Sequence, residues 1–393
     1  MGKRVAISGN HSIAEGVRLA KVDVVAAYPI TPQTPMVEKV ADFINQGRLD
    51  AKYIAVESEH SALTAVVGAS VMGTRVFTAS AGAGLALMHE IVGVASGNRL
   101  PIVMGIANRS LPSPWSLQAD HSDSMAERDL GWIQLYAASC QEALDYTLLA
   151  YRIAEEVRLP VMVCIDGFFL THTTEAVDLP DQADVDQFLP AFERGDIYLD
   201  PDDPMTINQL NSEATFTELK YRHNEALNSV VDLFPHVAKE FEERFGRKHS
   251  LCTAVGCEGA DVVVVTLGSS SGTARKVAGQ MRADGQKIGT LQVSCFRPFP
   301  KQEVIDHLKH AKAVAVVDRS WALGTDGPLA QEVKSAFYSA GLNVPVYNFV
   351  GGLGGRDLSE ATVKRVIGKA LELKEQEEQA LYPIWIDVKE EAK

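Results

Sequence analysis

Thr31, Glu59 and Arg109 are the side chains of this sequence best suited to act on a carboxylate-bearing substrate. Each follows a short apolar run that reads as a buried strand. A guanidinium can hold a carboxylate through two parallel hydrogen bonds, a carboxyl group can exchange a proton, and a hydroxyl can orient a neighbouring oxygen. Because open α/β sheets bind ligands at the carboxyl ends of their strands, we expect the three side chains to lie along one edge of a sheet.

Proline stiffens the stretch around Thr31. Pro29, Pro32 and Pro35 each fix φ, remove a backbone donor and restrict the preceding residue. The stretch Tyr28–Met36 therefore predicts a rigid ligand-binding loop at a strand end, and a purely structural turn is the alternative.

The other two candidates also have structural alternatives. Glu59 lies in the run Val56–Ala62, and the alternative is that its carboxylate has the structural role of stabilising a helix N-terminus. Arg109 can equally form a surface ion pair. The small residues Ala79–Gly84 allow a ligand to approach the backbone, but they do not form the G-x-G-x-x-G fingerprint of a dinucleotide site.

Metal and cluster sites are not indicated. The run Asp120-His-Ser-Asp123 matches no standard ligand set, and it predicts a hydrogen-bonded loop around His121 and Asp123. The five cysteines are scattered without a C-x-x-C pair, so the sequence predicts neither a zinc nor an iron–sulfur site in this chain. We expect the thiols to be reduced and mostly buried.

The elements that must position these residues form an α/β pattern. Residues 1–172 alternate continuous apolar strands with helices, which predicts a parallel sheet with helices on both faces. Asn10 or Ser12 is the expected cap of the first helix. Residues 173–250 predict an irregular linker and a long helix, about 218–245, interrupted or kinked at Pro235. Residues 251–393 resume the alternation and end in a terminal helix over 369–393 with a loose end.

Bulk properties exclude several classes of protein. The 393-residue chain has a formal net charge of −14, which argues against nucleic acids and anionic membranes as partners. It has neither a run of about 18 apolar residues nor a signal-peptide core. We therefore expect a cytoplasmic protein.

Several motifs resemble the alpha subunit of the 2-oxoacid:ferredoxin oxidoreductase family, whose members act on pyruvate, 2-oxoisovalerate, phenylglyoxylate and related acids. The motifs are Tyr28–Pro35, Val56–Ala62, Gly84–Glu90, Asn108-Arg109, Asp120–Asp123, Arg128–Gln134 and Gly351–Asp357. The resemblance implies a pyrimidine-type thiamine diphosphate-binding domain over 1–172, a linker with a long helix over 173–250, and a transketolase C-terminal-like domain over 251–393.

The resemblance also implies roles for single residues. Glu59 matches the glutamate that hydrogen-bonds the aminopyrimidine ring of thiamine diphosphate and shares a proton with it. Arg109 and Thr31 match the residues that hold the substrate carboxylate and a neighbouring oxygen. Tyr28 and Pro29 would line the thiamine site.

The chain by itself would hold half of the cofactor site of such an enzyme. It contains no Gly-Asp-Gly motif for the diphosphate and Mg²⁺, and no cluster-binding cysteines. The resemblance implies a beta subunit with the diphosphate/Mg²⁺ site and a [4Fe–4S] cluster, and gamma and ferredoxin-like delta subunits. The implied reaction is oxidative decarboxylation of a 2-oxoacid to acyl-CoA and CO₂, with coenzyme A as co-substrate and electrons passing to ferredoxin or an NAD-linked subunit.

Two departures bear on the substrate. Many pyruvate enzymes of the family have the sequence Thr-Ser/Ala-Ser-Gln-Gly where this chain has Ala79-Ser-Ala-Gly-Ala-Gly84. The segment Ser113–Leu117 is more similar to the Pro-Trp-Ser segment of branched-chain 2-oxoacid enzymes. A smaller loop and Trp115 favour a branched-chain or aromatic 2-oxoacid. Pyruvate is the alternative substrate, and a non-catalytic assembly subunit is the alternative function.

Overall fold

The structure is a computed structural model that describes residues 2–193, 195, 198–377 and 380–389. Two large sheets and their covering helices make up most of the chain. The strands are β1 (Lys3–Ser8), β2 (Val24–Ala27), β3 (Lys52–Ala55), β4 (Val76–Ser80), β5 (Val103–Asn108), β6 (Ile133–Tyr136), β7 (Val161–Asp166), β8 (Thr174–Leu179), β9 (Cys252–Val255), β10 (Val262–Thr266), β11 (Ile288–Val293), β12 (Cys295–Arg297), β13 (Val314–Asp318), β14 (Val346–Val350) and β15 (Ile384–Trp385). The helices are α1 (Gly9–Leu19), α2 (Thr34–Asn45), α3 (Glu59–Val71), α4 (Gly82–Leu87), α5 (His89–Gly97), α6 (Ser122–Ala126), α7 (Cys140–Val157), α8 (Gln182–Phe188), α9 (Glu213–Asn228), α10 (Val230–Phe245), α11 (Ser270–Ala283), α12 (Lys301–Leu308), α13 (Pro328–Ser339) and α14 (Glu360–Glu375), with a 3₁₀ turn at Leu353–Gly355.

The first sheet has the strand order β12-β6-β7-β5-β4-β2-β3. Its strands run parallel except β12, which pairs antiparallel with β6. Every residue of β4, β5 and β7 is buried, because helices cover both faces and the strands carry apolar side chains toward each. The predicted parallel α/β sheet is confirmed, and its carboxyl ends form one edge that carries the candidate residues.

The second sheet has the order β15-β14-β13-β10-β11-β9, with only β9 antiparallel to its neighbour. Strand β12 follows β11 in sequence but extends the first sheet, so the chain crosses between the sheets at Ser294. The sequence did not predict this crossing, because the pairing of a three-residue strand depends on a distant partner and leaves no local pattern.

The segment 173–250 is more ordered than predicted. Strand β8 pairs antiparallel with β1, from Lys3 opposite Leu179 to Ser8 opposite Thr174. The helical part is two helices that separate at Ser229, whereas Pro235 lies inside α10. The interruption predicted at Pro235 was therefore misplaced.

Two further expectations about helix ends were wrong. Helix α1 begins at Gly9, and Ser8, not Asn10 or Ser12, is its N-cap and accepts from the backbone N–H of His11. The predicted terminal helix over 369–393 ends at Glu375 and is followed by the short strand β15. The last part of that prediction, 390–393, lies outside the described residues.

The five cysteines are free and buried, as expected. Burial raises the pKa of Cys140 to about 12 and the pKa of Cys257 to about 11. It also raises the pKa values of Cys164, Cys252 and Cys295. The thiols are therefore protonated and enclosed at neutral pH.

We expect the folded chain to resist thiol alkylation. Iodoacetamide reacts with thiolates, so at pH 8 each cysteine should react at least about 100-fold more slowly than free cysteine. Peptide mass spectrometry after timed labelling measures this, and the same chain in guanidinium chloride should label at all five positions. Rapid labelling of any cysteine in the folded chain would contradict the expectation.

Candidate active site

The loop that follows β2 is fastened by two buried amide side chains. Gln33 donates from its backbone N–H to the carbonyl of Ile30 at 2.8 Å and from Nε2 to the carbonyl of Ala79 at 3.2 Å. Asn10 donates from Nδ2 to the carbonyl of Pro32 at 2.9 Å. Both side chains are fully buried, so the proline-rich loop is held against β4 and α1.

Arg109 and Thr31 meet at the edge of the sheet. Arg109 Nη1 donates to the backbone carbonyl of Thr31 at 2.9 Å, while the Thr31 residue is exposed. Tyr28, 38% exposed, and Pro29 lie on the exposed part of the same loop. The guanidinium therefore lies beside the proline-rich loop that the sequence predicts to bind a ligand.

Asp123 organises the backbone beneath Arg109. Its Oδ2 accepts from the backbone N–H groups of Gly82 at 2.8 Å and Arg109 at 2.9 Å. Its Oδ1 accepts from Asn108 Nδ2 and from the backbone N–H of Ser124, both at 2.8 Å. Complete burial raises the pKa of Asp123 to about 6, although the hydrogen bonds oppose the shift. One carboxyl group thus ties together the segments after β4 and β5 and the start of α6.

Glu59 is the first residue of α3 and is only 7% exposed. Ser58 caps the helix by accepting from the backbone N–H of Ser61 at 3.2 Å. A Cβ at Gly84 would lie 2.5 Å from Glu59 Oε1 and 2.8 Å from Ser80 Oγ. The absence of a side chain at Gly84 is therefore what leaves space for the carboxyl group.

A second glycine makes room for the guanidinium. Gly82 has φ of +51°, and a Cβ there would lie 3.1 Å from both Cδ and Nε of Arg109. Partial burial lowers the pKa of Arg109, and the charges of Asp123 and Glu59 oppose that shift. Glu59 and Arg109 therefore flank the same glycine-containing turn, which explains why this loop contains small residues.

Two buried polar atoms at this turn lack a hydrogen-bond partner among the described residues. They are Ser80 Oγ and Arg109 Nε. Leaving a buried donor or acceptor unpaired costs about 1–3 kcal/mol, so such atoms are normally satisfied by protein, water or ligand. Together with Glu59 and the cradle at Gly82 and Gly84, they fit a polar ligand that bears hydrogen-bonding ring atoms or a carboxylate.

A second buried network joins the edges of the two sheets. Asp166, at the end of β7, accepts from Arg319 Nη1 at 3.2 Å and from the backbone N–H of Ser269 at 2.8 Å, and it bonds to His121 Nε2 at 2.5 Å. Burial alone would raise the pKa of Asp166, but the charges of His121 and Arg319 hold it well below the usual range. The side chains of His121 and Asp123 thus have different partners, and among the described residues the predicted loop network joins the two residues only through the backbone carbonyl of His121, which accepts from Ser124 Oγ at 3.4 Å.

The loop that carries Trp115 is anchored at its base. Asp120 accepts from the hydroxyl of Ser110 and from the backbone N–H of Gly354 at 3.1 Å. The Trp115 residue is 74% exposed. The glycine motif near the end of the chain therefore packs against this loop.

Sequence reasoning missed the contacts that hold the site together. Gln33 and Asn10 bind backbone carbonyls far along the chain, and Asp123 bonds to two segments that precede it. No spacing rule reveals such contacts. Asn10, Gln33 and Asp123 have glycine, proline or polar neighbours in the sequence, so no apolar pattern marked them as buried.

Within the described ranges, no group of three or more histidine, cysteine, aspartate or glutamate side chains could hold a metal ion. In the same residues, no helix is both long and apolar enough to span a membrane.

Comparison with known proteins agrees with this geometry. Residues 15–239 match the family model for pyruvate flavodoxin/ferredoxin oxidoreductase, thiamine diphosphate-binding, and residues 260–363 match core domain II of pyruvate:ferredoxin oxidoreductase. Pyruvate synthase subunit PorA of Methanothermobacter thermautotrophicus is 44% identical, with 98% of each chain covered. Ketoisovalerate oxidoreductase subunit VorA of Pyrococcus horikoshii is 43% identical, with 92% of each chain covered.

Solved structures show the same fold. The 2-oxoglutarate:ferredoxin oxidoreductase of Magnetococcus marinus aligns with a TM-score of 0.75 and 21% identity, over 94% of this chain and 66% of that one. A split-gene transketolase aligns with a TM-score of 0.55 and 16% identity, over 94% of this chain and all of that one.

The two sheets and their shared edge define a thiamine diphosphate-binding fold. The chain belongs to the 2-oxoacid:ferredoxin oxidoreductase family, as an alpha subunit. It is part of an enzyme that acts on an oxo group and functions as a complex of subunits.

Gly84→Ala tests the geometry around Glu59. The added methyl group forces the Glu59 side chain and the Ser80 hydroxyl to move, but both can rotate, and alanine favours a helix by about 1 kcal/mol. We expect the melting temperature of the chain to change little while turnover of the assembled enzyme falls at least about 10-fold.

Gly368→Ala is the matched control, because Gly368 is also helical and a methyl group added there would meet no atom within 4 Å. It should leave turnover within about twofold. Equal turnover of the Gly84→Ala and Gly368→Ala enzymes would show that the Glu59 geometry is unimportant.

Proposed function

We propose that this chain supplies the pyrimidine half of a thiamine diphosphate site and the substrate carboxylate anchor of a 2-oxoacid oxidoreductase. The enzyme converts a 2-oxoacid and coenzyme A to acyl-CoA and CO₂ and passes electrons to ferredoxin or an NAD-linked subunit. The observation that carries the proposal is the buried Glu59 carboxyl, which lies beside Gly84 at the sheet edge that also holds Arg109.

Each named residue has a chemical task in this proposal. Glu59 would hydrogen-bond the aminopyrimidine ring and hold a proton at a ring nitrogen. Arg109 would bind the substrate carboxylate through its guanidinium, and Thr31 would orient the neighbouring oxygen. Tyr28 and Pro29 would form the wall of the thiamine site.

Thiamine diphosphate, when bound, supplies the carbon nucleophile and the electron sink that decarboxylation requires. The protein binds and orients the reactants. Gln33 and Asn10 hold the Thr31 loop, and Asp123 holds the backbone of Arg109, so these groups are positioned before substrate arrives.

The proposed enzyme needs further subunits. Because this chain has no Gly-Asp-Gly motif, a beta subunit would bind the diphosphate and Mg²⁺ and carry a [4Fe–4S] cluster. Gamma and ferredoxin-like delta subunits would complete electron transfer. Within the chain, we propose the divisions 1–172, 173–250 and 251–393, with β12 as a strand that the last segment lends to the first sheet.

The substrate side chain is proposed to be branched or aromatic. The small residues of Ala79–Gly84 support this, as does Trp115 on a loop fastened to the same edge. Pyruvate is the second candidate, supported by the 44% identity to a pyruvate synthase subunit.

Glu59→Gln in the assembled enzyme tests the catalytic role. The amide cannot share a proton with the ring as a carboxyl does, so we expect turnover to fall about 10²–10⁴-fold. Glu57→Gln is the control, because Glu57 lies two residues away and is exposed. Full activity of the assembled Glu59→Gln enzyme would favour a purely assembling role for the chain.

Substrate preference is tested by kcat/KM of the purified complex on pyruvate, 2-oxoisovalerate and phenylglyoxylate. We expect the two larger acids to be preferred by at least about 10-fold, since each buried methylene group contributes roughly 0.8 kcal/mol. Trp115→Ala should reduce that preference. A clear preference for pyruvate would replace the first candidate with the second.

A further inference from the structure

The turn over residues 119–123 holds the segment that carries Arg109. Each of the three successive residues after β5 donates a hydrogen bond to this turn. The bonds run from the backbone N–H of Arg109 to Asp123 Oδ2 at 2.9 Å, from the hydroxyl of Ser110 to Asp120, and from the backbone N–H of Leu111 to Ser122 Oγ at 2.9 Å. The direction in which the chain leaves β5, and with it the place of the Arg109 guanidinium, therefore depends on where the turn lies.

The opposite side of the turn is bonded to the second sheet. Arg319 follows β13, and Gly354 and Gly355 follow β14. The bonds run from the backbone N–H of His121 to the carbonyl of Arg319 at 2.8 Å, from the N–H of Gly355 to the carbonyl of Ala119 at 2.8 Å, and from the N–H of Gly354 to Asp120 Oδ2 at 3.1 Å. The turn is thus a bridge between Arg109 and the carboxyl edge of the second sheet.

The side chain of His121 adds a buried charged contact to this bridge. His121 Nε2 bonds to Asp166 Oδ1 at 2.5 Å, and Asp166 Oδ2 accepts from Arg319 Nη1 at 3.2 Å. All three side chains are buried. Removing one member of a buried charged network leaves the others unsatisfied, so such a network strongly favours a single arrangement. The His121 side chain therefore limits the positions that the turn can take.

Asp166 lies at a place in the second sheet that open α/β sheets ordinarily use for ligands. Strand β10 lies between β11 and β13, so the strand order changes direction at the carboxyl ends of β10 and β13, and ligands bind at such a crevice. Here the backbone N–H of Ser269, after β10, donates to Asp166 Oδ2 at 2.8 Å, and Arg319, after β13, donates to the same oxygen. The second sheet therefore binds a carboxylate of the first sheet at this crevice.

Gly268 fits the second sheet to this contact. It has φ of +62°, and a Cβ there would lie 3.0 Å from Asp166 Oδ2 and 3.2 Å from His121 Nε2. These separations are tighter than ordinary van der Waals contact, so the loop after β10 approaches the pair closely because it has no side chain at this residue. The second sheet is thus shaped around the His121–Asp166 pair.

We propose that His121 is a positioning residue for substrate binding: it fixes the turn 119–123 against the second sheet, and the turn fixes Arg109. The second sheet thereby supports the substrate carboxylate anchor, although all the proposed site residues precede it in the chain. This rests on the proposed function, in which Arg109 binds the carboxylate of the 2-oxoacid.

His121→Ala in the assembled enzyme tests the positioning role. Loss of the contact with Asp166 frees the turn, and displacing a binding group by about 1 Å can cost about 100-fold. We expect the KM for pyruvate and for 2-oxoisovalerate to rise at least about 10-fold, while kcat and the KM for coenzyme A change less than about threefold. Loss of folded or assembled enzyme lowers kcat and leaves KM unchanged, so that opposite pattern would overturn the proposal.

Gln292→Ala is the matched control. Gln292 is a buried residue of β11 whose Nε2 donates to Glu142 Oε2 of α7 at 3.0 Å and to Ser294 Oγ at 3.3 Å, so it joins the second sheet to a helix that packs on the first. This variant should leave every KM unchanged. His121→Gln keeps an amide N–H at about the reach of Nε2 and should restore most of the wild-type KM. Equal KM values for the His121→Ala and Gln292→Ala enzymes would reject the positioning role.

Gly268→Ala perturbs the pair from the second sheet, and it provides the test if His121→Ala does not assemble. Its methyl group presses on Asp166 and His121, whereas Gly259→Ala, at the same φ of +62°, adds a methyl group that meets no atom within 4 Å. The two variants therefore carry the same backbone strain and differ in the contact. We expect the KM for 2-oxoacids to rise about threefold or more in Gly268→Ala and to stay unchanged in Gly259→Ala. An unchanged KM in the folded Gly268→Ala enzyme would contradict the proposal.

Arg109→Gln separates this proposal from the proposed function. Loss of the guanidinium removes hydrogen bonds between charged groups, so the KM for the 2-oxoacid should rise about 10–100-fold. A rise with Arg109→Gln but not with His121→Ala would reject the positioning role alone. An unchanged KM with Arg109→Gln would reject the carboxylate anchor of the proposed function, whatever the result for His121→Ala.

Discussion

The buried carboxyl group of Asp123 is the contact on which the geometry of the site depends. It accepts hydrogen bonds from Gly82, Asn108, Arg109 and Ser124, and so fixes the backbone that follows two neighbouring strands. Burial of a carboxyl group is unfavourable unless its oxygens are satisfied, and here four donors satisfy them. The turn beneath Arg109 is therefore rigid without a bound ligand, which limits the reorganisation that binding requires.

The same principle joins the two sheets. Asp166 ends a strand of the first sheet, while Ser269 and Arg319 follow strands of the second, and Asp166 and Arg319 are buried together with His121. Strand β12 adds a backbone connection by pairing with β6. The carboxyl ends of both sheets are consequently held at one shared edge, where loops from either sheet can contribute to one site.

Two glycines of the site leave room for its charged side chains. Gly82 and Gly84 lie where a Cβ would strike Arg109 and Glu59, so the two charged groups approach the turn closely because no side chain intervenes. Glycine at these two positions therefore permits the close approach of charged groups within the chain.

The sequence alone determined the class of fold and the position of the candidate residues along it. Fully buried strands are mostly apolar, so β5 and β7 could be recognised without their neighbours. The motifs around Thr31, Glu59 and Arg109 predicted the family. Only the tertiary structure decided which side chains meet. The pairing of β1 with β8, the crossing of β12 and the partners of Asp123 and Asp166 join residues that are distant in the chain. Such contacts depend on how the buried surfaces pack, and helical or strand periodicity contains no record of them.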